Sequence, residues 1–341
     1  MKNALLPLLA VAAIGCPKSG DKPKPVAEPA RRDALPKVDD PTLPPAAALP
    51  AMPAGLPDVP ANPRVTPDAV AFGEVLFRDP QLSHDRSRSC ATCHDPAHGF
   101  SGDVATAADG KPNFRRSPAL VNLAWVKDLG WDGRYASISD LLPPHIKGQL
   151  GEAIEPLANR LAENPLYHAH VARIGGTPRD AITQALEAYV LTRYDGDAPW
   201  DSLERTALSR PGTTPSDPIV AGYQLFMGKA QCGVCHPPPL YTDGGYHRVA
   251  GNPLSDPGRG KIDPALAGAF RTPTLRGAAR RPAFFHTGSA KSLDDVVLHY
   301  QQEAAVVNPD PAVIDPLVSK IRISAGEAKD LVAFLRALSA Q

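Results

Sequence analysis

The segment Ser87–Phe100, SRSCATCHDPAHGF, contains a Cys-x-x-Cys-His motif, and the same pattern returns in AQCGVCHPPP at residues 230–239. In this spacing the two cysteines form thioethers with the vinyl groups of a haem, and the histidine supplies the proximal iron ligand. The sequence therefore predicts two covalent haems, attached and ligated through Cys90, Cys93, His94, Cys232, Cys235 and His236.

Other uses of paired cysteines explain the two motifs less well. A redox-active Cys-x-x-Cys has no need of a histidine directly after it in both copies. One zinc ion could bind all four motif cysteines, but both following histidines would then have no role. The chain has five cysteines, and the fifth is Cys16, so no pair is left for a structural disulfide.

The first sixteen residues, MKNALLPLLAVAAIGC, combine a basic start, an apolar run and small residues before Cys16. This pattern is typical of a secretory signal peptide and is too short for a membrane-spanning anchor. Gly15-Cys16 also resembles a bacterial lipoprotein cleavage site, which would place a lipid anchor on Cys16. The alternative is an ordinary signal peptide that is removed together with Cys16. Both interpretations predict a periplasmic or extracytoplasmic protein.

Composition divides the rest of the chain into a linker and two predicted haem domains. Residues 17–63 are rich in Pro, Ala, Lys and Asp and almost lack aromatic residues, so we expect a disordered tether. One haem domain is predicted at 64–210 and a second at 211–341. The 341 residues have zero formal net charge, which gives no indication of a nucleic acid or membrane-surface partner.

Helix signals dominate the two predicted domains. Each haem motif follows a short apolar-patterned segment, PDAVAFGEVLFR in one case and DPIVAGYQLFM in the other. No alternating strand pattern of any length occurs, so we predict a mainly α fold with long loops. Helix starts are predicted from capping and N-terminal proline signals at Thr66-Pro67, Thr177-Pro178, Ser292 with Asp295, and Ser324 with Glu327.

Longer segments around the motifs carry a family resemblance. They are DPQLSHDRSRSCATCHDPAHGF, RRSPALVNLAWVKDLGWDGRYASISDL, GYQLFMGKAQCGVCHPPPLYTDGGYH and FRTPTLRGAARRPAFFHTGSAKSLDDVVLHY. With these segments, the chain after the linker resembles the bacterial di-haem cytochrome c peroxidase and MauG family. The resemblance implies that the N-terminal haem meets hydrogen peroxide and that the C-terminal haem handles electrons. It also implies that Trp131 lies between the two haems as a catalytic residue.

The second haem is expected to have an unusual axial ligand. The chain has three methionines, Met1, Met52 and Met227, and none follows the second motif. The His/Met ligation of ordinary family members is therefore not expected. At the family's ligand position stands Tyr300, and members similar to MauG use tyrosine there. His299 is the alternative, since imidazole is a common iron ligand, but neighbouring helical residues point about 100° apart and cannot share the role.

The first haem is expected to differ from ordinary family peroxidases. These have a removable distal histidine in the loop after the motif, whereas residues 101–144 contain no histidine, which predicts an open sixth position. The family's proton-transferring glutamate matches Glu152 most closely, with Glu155, Gln149 and His145 as alternatives. Arg116 stands where the family has a calcium-ligating asparagine, and its positive charge puts calcium binding in doubt.

Together these features predict an exported di-haem c-type oxidoreductase that reacts with hydrogen peroxide and passes oxidising equivalents between two haems. One candidate activity is reduction of peroxide with electrons from a small cytochrome c or cupredoxin. A second is MauG-like oxidation of a tryptophan or tyrosine on a partner protein. A third, non-catalytic alternative is a di-haem electron carrier in which both irons are six-coordinate.

Overall fold

The computed structural model describes residues 46–208, 217–249, 256–304 and 314–340. The predicted signal peptide, Cys16 and the first part of the predicted linker lie outside these residues. Within them the protein is mainly helical, as the sequence predicts, and none of these helices is long and apolar enough to cross a membrane. The α-helices are α1 (Pro67–Arg78), α2 (Cys90–Cys93), α3 (Ile138–Leu150), α4 (Ile154–Ala162), α5 (Pro165–Ile174), α6 (Pro178–Leu191), α7 (Pro199–Leu208), α8 (Pro218–Met227), α9 (Leu293–Ala304) and α10 (Ala325–Ala337).

Strand structure in the described residues is limited to one small antiparallel pair. It consists of β1 (Tyr246–His247) and β2 (Phe270–Arg271), with Tyr246 opposite Arg271. Long loops and single turns of 3-10 helix make up the remaining connections. These loops carry much of the wall around each haem motif, which is why so much of the chain lacks regular structure.

The predicted helix starts are present. Thr66 and Thr177 accept hydrogen bonds from backbone N–H groups in the first turns of α1 and α6. Ser324 and Glu327 form a reciprocal capping box at the start of α10. Ser292 accepts from the backbone of Asp295 at 3.0 Å, but the Asp295 carboxylate accepts from Lys291 instead, so that pair is not reciprocal.

The helix before each haem motif crosses a second helix at a glycine. Gly73 of α1 lies against α6, where an added Cβ would be 2.0 Å from the carbonyl oxygen of Ala185. Gly222 of α8 lies against α10, where an added Cβ would be 2.0 Å from the carbonyl oxygen of Asp330. Because only glycine permits backbones to approach this closely, the two halves use the same device to support their motifs.

Two hydrophobic clusters support the two motifs. The first contains Phe72 and Phe77 of α1 and reaches Cys90, and the second contains Phe226 of α8 and reaches Cys232. Trp200 of α7 belongs to the second cluster, where its ring lies 5.1 Å from that of Phe334 and 4.4 Å from that of Tyr223. We therefore propose that the boundary between the two halves lies before α7, whereas the predicted boundary at 210/211 falls outside the described residues.

The last part of the predicted tether lies against the folded chain. Ala54 and Asp197 exchange two hydrogen bonds, of 2.7 and 2.9 Å. The indole of Trp125 donates to the carbonyl of Asp58 at 3.1 Å, and Arg276 donates to the carbonyl of Gly55. The backbone of this stretch follows a fixed path despite its low-complexity composition, because its N–H and C=O groups form hydrogen bonds with residues of both halves.

The close approach of α1 to α6 at Gly73 predicts how a substitution there affects stability. Gly73→Ala should lower the free energy of unfolding by about 1–3 kcal/mol, because the new methyl group overlaps the backbone of α6. Thermal unfolding of the haem-loaded protein measures the effect. Gly148→Ala, in α3 with nothing within 4 Å of the added Cβ, is the matched control and should be neutral or stabilising. Equal midpoints for both variants would contradict the packing argument.

Two candidate haem sites

The first haem motif opens into a cavity in the N-terminal half. Helix α2 presents Cys90 and Cys93 to this cavity, and His94 follows directly at the helix end. The Nδ1–H of His94 donates to the carbonyl oxygen of Pro118 at 3.0 Å, so Nε2 is free to bind a metal. Burial lowers the pKa of His94 to about 4, which keeps the imidazole neutral, as metal ligation requires.

The second motif repeats this arrangement. Cys232, Cys235 and His236 line a separate cavity in the C-terminal half. The Nδ1–H of His236 donates to the carbonyl oxygen of Tyr241 at 2.8 Å, and burial lowers the pKa of His236 to about 4. In both sites a backbone carbonyl therefore fixes the ring and leaves Nε2 for iron. The four motif cysteines are free of disulfides, as thioether formation requires.

Buried cations at the cavities test whether a haem fits. Arg271 lines both cavities and Arg281 lines the second, and the hydrogen bonds they make go to backbone carbonyls. Burial lowers the pKa of Arg281 to about 10, and its buried Nε has no hydrogen-bond partner among the described residues. Since haem carries two anionic propionates, these positive side chains and the apolar walls fit the cofactor. Sequence reasoning missed both arginines.

Trp131 lies between the two cavities and lines both of them. Its side chain is buried, and its indole N–H donates to the carbonyl oxygen of Arg116 at 2.9 Å. The Arg116 side chain also lines both cavities. The predicted interhaem position of Trp131 therefore agrees with the geometry, although its catalytic role is a proposal.

Tyr300, rather than His299, faces the second cavity. Tyr300 is among the residues that line this cavity with His236, and burial raises the pKa of its phenol. The neighbouring His299 is bound through Nε2 to the carbonyl oxygen of Val249 at 2.5 Å. Helix α9 thus turns one of the two candidate ligands toward the haem site and the other toward a loop.

His145 of α3 lines the first cavity together with His94. The two imidazole centres are 6.1 Å apart with a 50° angle between the ring planes. With metal–imidazole bonds of about 2 Å and a ring centre roughly 1 Å further away, two imidazoles on one iron would be separated by about 6 Å. This spacing makes His145 a candidate for the sixth position, which the sequence predicted to be open. The histidine comes from α3, one residue beyond the segment searched in the sequence.

Glu152 does not reach either cavity. Its carboxylate pairs with Arg160 at 2.6 Å, and Glu155 pairs with Arg179 at 3.0 Å. Neither glutamate lines the first cavity, whereas Gln149 does and exchanges hydrogen bonds with Asn113. The prediction that Glu152 transfers protons at the first haem therefore receives no support from its position. Gly151, in the left-handed conformation at φ 82°, ends α3 and turns the chain away directly before Glu152.

The Arg116 guanidinium lies among neutral oxygens. Its Nε donates to the carbonyl of Phe285 at 2.7 Å, and its Nη1 donates to Ser101 Oγ at 2.9 Å and to the Ser117 carbonyl at 3.1 Å. Carbonyl and hydroxyl oxygens are ligands that calcium also uses. The Arg116 guanidinium is therefore a fixed positive charge bound to oxygens between the two haem sites. That this charge disfavours calcium binding stays a prediction.

Comparisons with known proteins agree with this geometry. A family model described as di-haem cytochrome c peroxidase matches residues 67–207. The methylamine utilization protein MauG of Methylorubrum extorquens is 34% identical over 302 residues, which cover 85% of this chain and 83% of that protein. The cytochrome-c peroxidase IdrP1 of Denitromonas iodatirespirans is 30% identical over 346 residues, 88% of each chain.

Solved structures show the same fold. The crystal structure of a MauG-like protein associated with microbial copper homeostasis superposes with a TM-score of 0.73 at 22% identity. The match covers 84% of this chain and 94% of that one. Two thioether-type haem sites on either side of a buried tryptophan define a di-haem c-type cytochrome. Its sequence relatives place the chain in the bacterial di-haem cytochrome c peroxidase and MauG family, a family of oxidoreductases that hold two c-type haems.

Haem stoichiometry follows from the two matching sites. The intact mass of the matured protein should exceed the processed polypeptide by two haem masses. The double substitution Cys232→Ala and Cys235→Ala should remove one haem mass and leave the first haem attached, because each haem is attached through its own pair of cysteines. Denaturing mass spectrometry checks both values, and a single haem in the matured unsubstituted protein would contradict the assignment.

Proposed function

We propose that the protein reacts with hydrogen peroxide at the first haem and shares the oxidising equivalents with the second haem through Trp131. The observation that carries this proposal is the position of Trp131, which lines both haem cavities. An indole in contact with two redox sites provides a short route for electrons between them. A protein that used each haem independently would have no need for this shared wall.

Peroxide chemistry needs access to the iron and a group that handles protons. The bound haem supplies the iron at which the O–O bond of peroxide is cleaved. His145 would have to leave its place opposite His94 before peroxide can bind, since the 6.1 Å separation has room for one iron only. Burial lowers the pKa of His145 in this position, so the imidazole is neutral there, which both an iron ligand and a proton acceptor require. We therefore assign the distal role to His145 rather than Glu152.

A second candidate function is oxidation of a tryptophan or tyrosine on a partner protein. Tyr300 favours it, because a phenolate is a hard anionic ligand that stabilises ferric and more oxidised iron relative to a thioether. Iron would drive the phenol to ionise, since the metal charge outweighs the cost of burying the anion. In either function the electrons come from a protein, a small cytochrome c or cupredoxin in the first case and the modified partner in the second.

Location is part of the proposal. Thioether-linked haem is attached outside the cytoplasm in bacterial families of this kind, which supports the signal peptide predicted at residues 1–16. We propose a periplasmic or extracytoplasmic protein. The lipid anchor at Cys16 stays a prediction, because that residue lies outside the described part of the chain.

The test of the proposed function is peroxide added to the purified two-haem protein, followed by optical and electron paramagnetic resonance spectra of both haems. The oxidised protein and the protein carrying one added electron are compared. Both haem spectra should respond in at least one of these states. In Trp131→Phe the first haem should still respond while the second responds much more slowly, because the indole bridge is gone. If electron transfer between the haems is unchanged in this variant, Trp131 is a packing residue only.

Substitution of His145 should leave an open coordination position on the iron of the first haem. In the oxidised protein, His145→Ala should convert the first haem from low-spin to high-spin and speed cyanide binding by roughly tenfold or more, because the closed state no longer competes with the ligand. Glu152→Gln is the matched control and should change neither property, since Glu152 pairs with Arg160 outside the cavity. If the unsubstituted protein already contains a fully high-spin first haem with fast cyanide binding, His145 is not a ligand.

Tyr300 and its neighbour form a matched pair for the second haem. Tyr300→Phe should abolish the tyrosine-ligand features of the optical spectrum and raise the reduction potential of that haem, because an anionic donor is lost. His299→Phe should leave both unchanged, since His299 is bound to the Val249 carbonyl. Spectroelectrochemistry measures the two quantities together. Loss of the ligand features in His299→Phe alone would reverse the assignment.

A further inference from the structure

Arg116 contacts Trp131 in two ways. The centre of its guanidinium lies 4.9 Å from the centre of the indole ring, and its carbonyl oxygen accepts the indole N–H at 2.9 Å. The Arg116 side chain is 2% exposed, so this contact is shielded from water. One residue therefore presents a positive charge to the face of the proposed bridge and binds its only polar hydrogen.

The positive charge of Arg116 is not neutralised by its hydrogen bonds. The acceptors are the carbonyls of Phe285 and Ser117 and the hydroxyl of Ser101. Burial lowers the pKa of Arg116 to about 9, and the nearby charge of Arg281 acts in the same direction. The guanidinium is nevertheless protonated at neutral pH. Asp103, which also influences Arg116, is ion-paired with Lys291.

The charges around Asp132 cancel one another, whereas Arg271, whose backbone N–H donates to the Trp131 carbonyl oxygen at 2.8 Å, is a second buried cation nearby. Asp132 follows Trp131 directly, but its carboxylate binds both Arg115 and Arg134. Burial alone would raise the pKa of Asp132, whereas these two arginines hold it at about 2. Arg115 also binds Asp256, so two carboxylates face two guanidinium groups. Of Arg115, Arg116 and Arg134, Arg116 is the one that acts on the indole without a carboxylate bound to it.

A stacked cation has opposite effects on the neutral and the oxidised indole. It stabilises the neutral ring through the negative face of the π system. It destabilises the radical cation left after loss of one electron, because two positive charges then lie close together in a medium of low dielectric constant. Loss of the indole proton does not relieve this repulsion, since the acceptor is the Arg116 carbonyl, which is not a base.

We propose that Arg116 is a positioning residue that keeps the oxidising equivalent off Trp131, so that the indole couples the two haem sites without being oxidised itself. This inference rests on the proposed function. Without the guanidinium, the indole would be consumed in a balanced side reaction. One C–H of the ring and one molecule of hydrogen peroxide would give a hydroxylated ring and one water, with the indole supplying both electrons.

The experiment measures chemical damage at Trp131 and not turnover. Arg116→Met protein with both haems is treated with a few equivalents of peroxide without an electron donor, and the Trp131 peptide is quantified by mass spectrometry. The hydroxylated fraction should be roughly tenfold or more above that of the unsubstituted protein, because a nearby unit charge has been removed from a buried site. Arg116→Lys restores the charge and should return the fraction toward the original value.

Arg193→Met is the matched control. Arg193 stacks on the ring of Tyr189 at 4.1 Å and donates to the Tyr189 carbonyl and the Thr192 hydroxyl, so it makes the same type of contact elsewhere. Its loss should leave Trp131 damage unchanged. If Arg116→Met does not load two haems, Arg116→Gln replaces it, since the amide can keep part of the hydrogen bonding.

The possible outcomes separate the two proposals. Increased damage in the neutral variants but not in Arg116→Lys or Arg193→Met supports the inference. Haem spectra that respond to peroxide together with equal Trp131 damage in all variants overturn the inference and leave the proposed function standing. Haem spectra of the unsubstituted protein that respond to peroxide in neither the oxidised nor the one-electron-reduced state overturn both.

Discussion

Each half of this protein is organised around one hydrogen bond, from the proximal histidine to a backbone carbonyl. The bonds His94–Pro118 and His236–Tyr241 fix both imidazole rings and leave Nε2 for iron. Once these rings are fixed, the position of each haem plane follows, and the other walls must lie around it. The glycine crossings at Gly73 and Gly222 then hold the supporting helices at the required distance.

Placing two haems in one chain imposes an electrostatic requirement. Each haem brings anionic propionates into a largely apolar cavity, and buried charge is costly unless it is paired. Arg271 and Arg281 line these cavities and meet this requirement. The same principle places Arg116 beside Trp131, but there the charge acts on an aromatic ring instead of a propionate.

The sequence predicted the fold class and the residues whose roles depend on local pattern. Haem motifs and the caps at Thr66, Thr177 and Ser324 are read from spacing over a few residues, and all of these agree with the structure. The distal side of the first haem could not be predicted in this way, because it depends on how α3 is oriented. The sequence predicted the loop after the motif at residues 101–144, yet α3 begins at Ile138 and continues through Pro143 and Pro144 to His145.

The prediction that Glu152 lies at the first haem failed for a different reason. Spacing from Trp131 matched it to a family position, but the turn at Gly151 aims it toward Arg160. Spacing along a chain predicts a spatial position only while the backbone follows the same course. The choice between His299 and Tyr300 was likewise left open by the sequence, since both lie on α9. It is the loop carbonyl of Val249, distant in the sequence, that binds one of them.

The two residues proposed as distal ligands, His145 and Tyr300, differ in how firmly the fold holds them. His145 follows two prolines that cannot donate helical hydrogen bonds, so its turn of α3 opens at a lower free-energy cost than an ordinary turn. Tyr300 lies on α9, which contains no proline and packs into the second core through Leu293 and Val297. A ligand on a weakened turn can leave and admit a small molecule, whereas a ligand on a firmly packed helix stays bound. In the proposed function, this difference would let the first haem exchange ligands while the second exchanges only electrons.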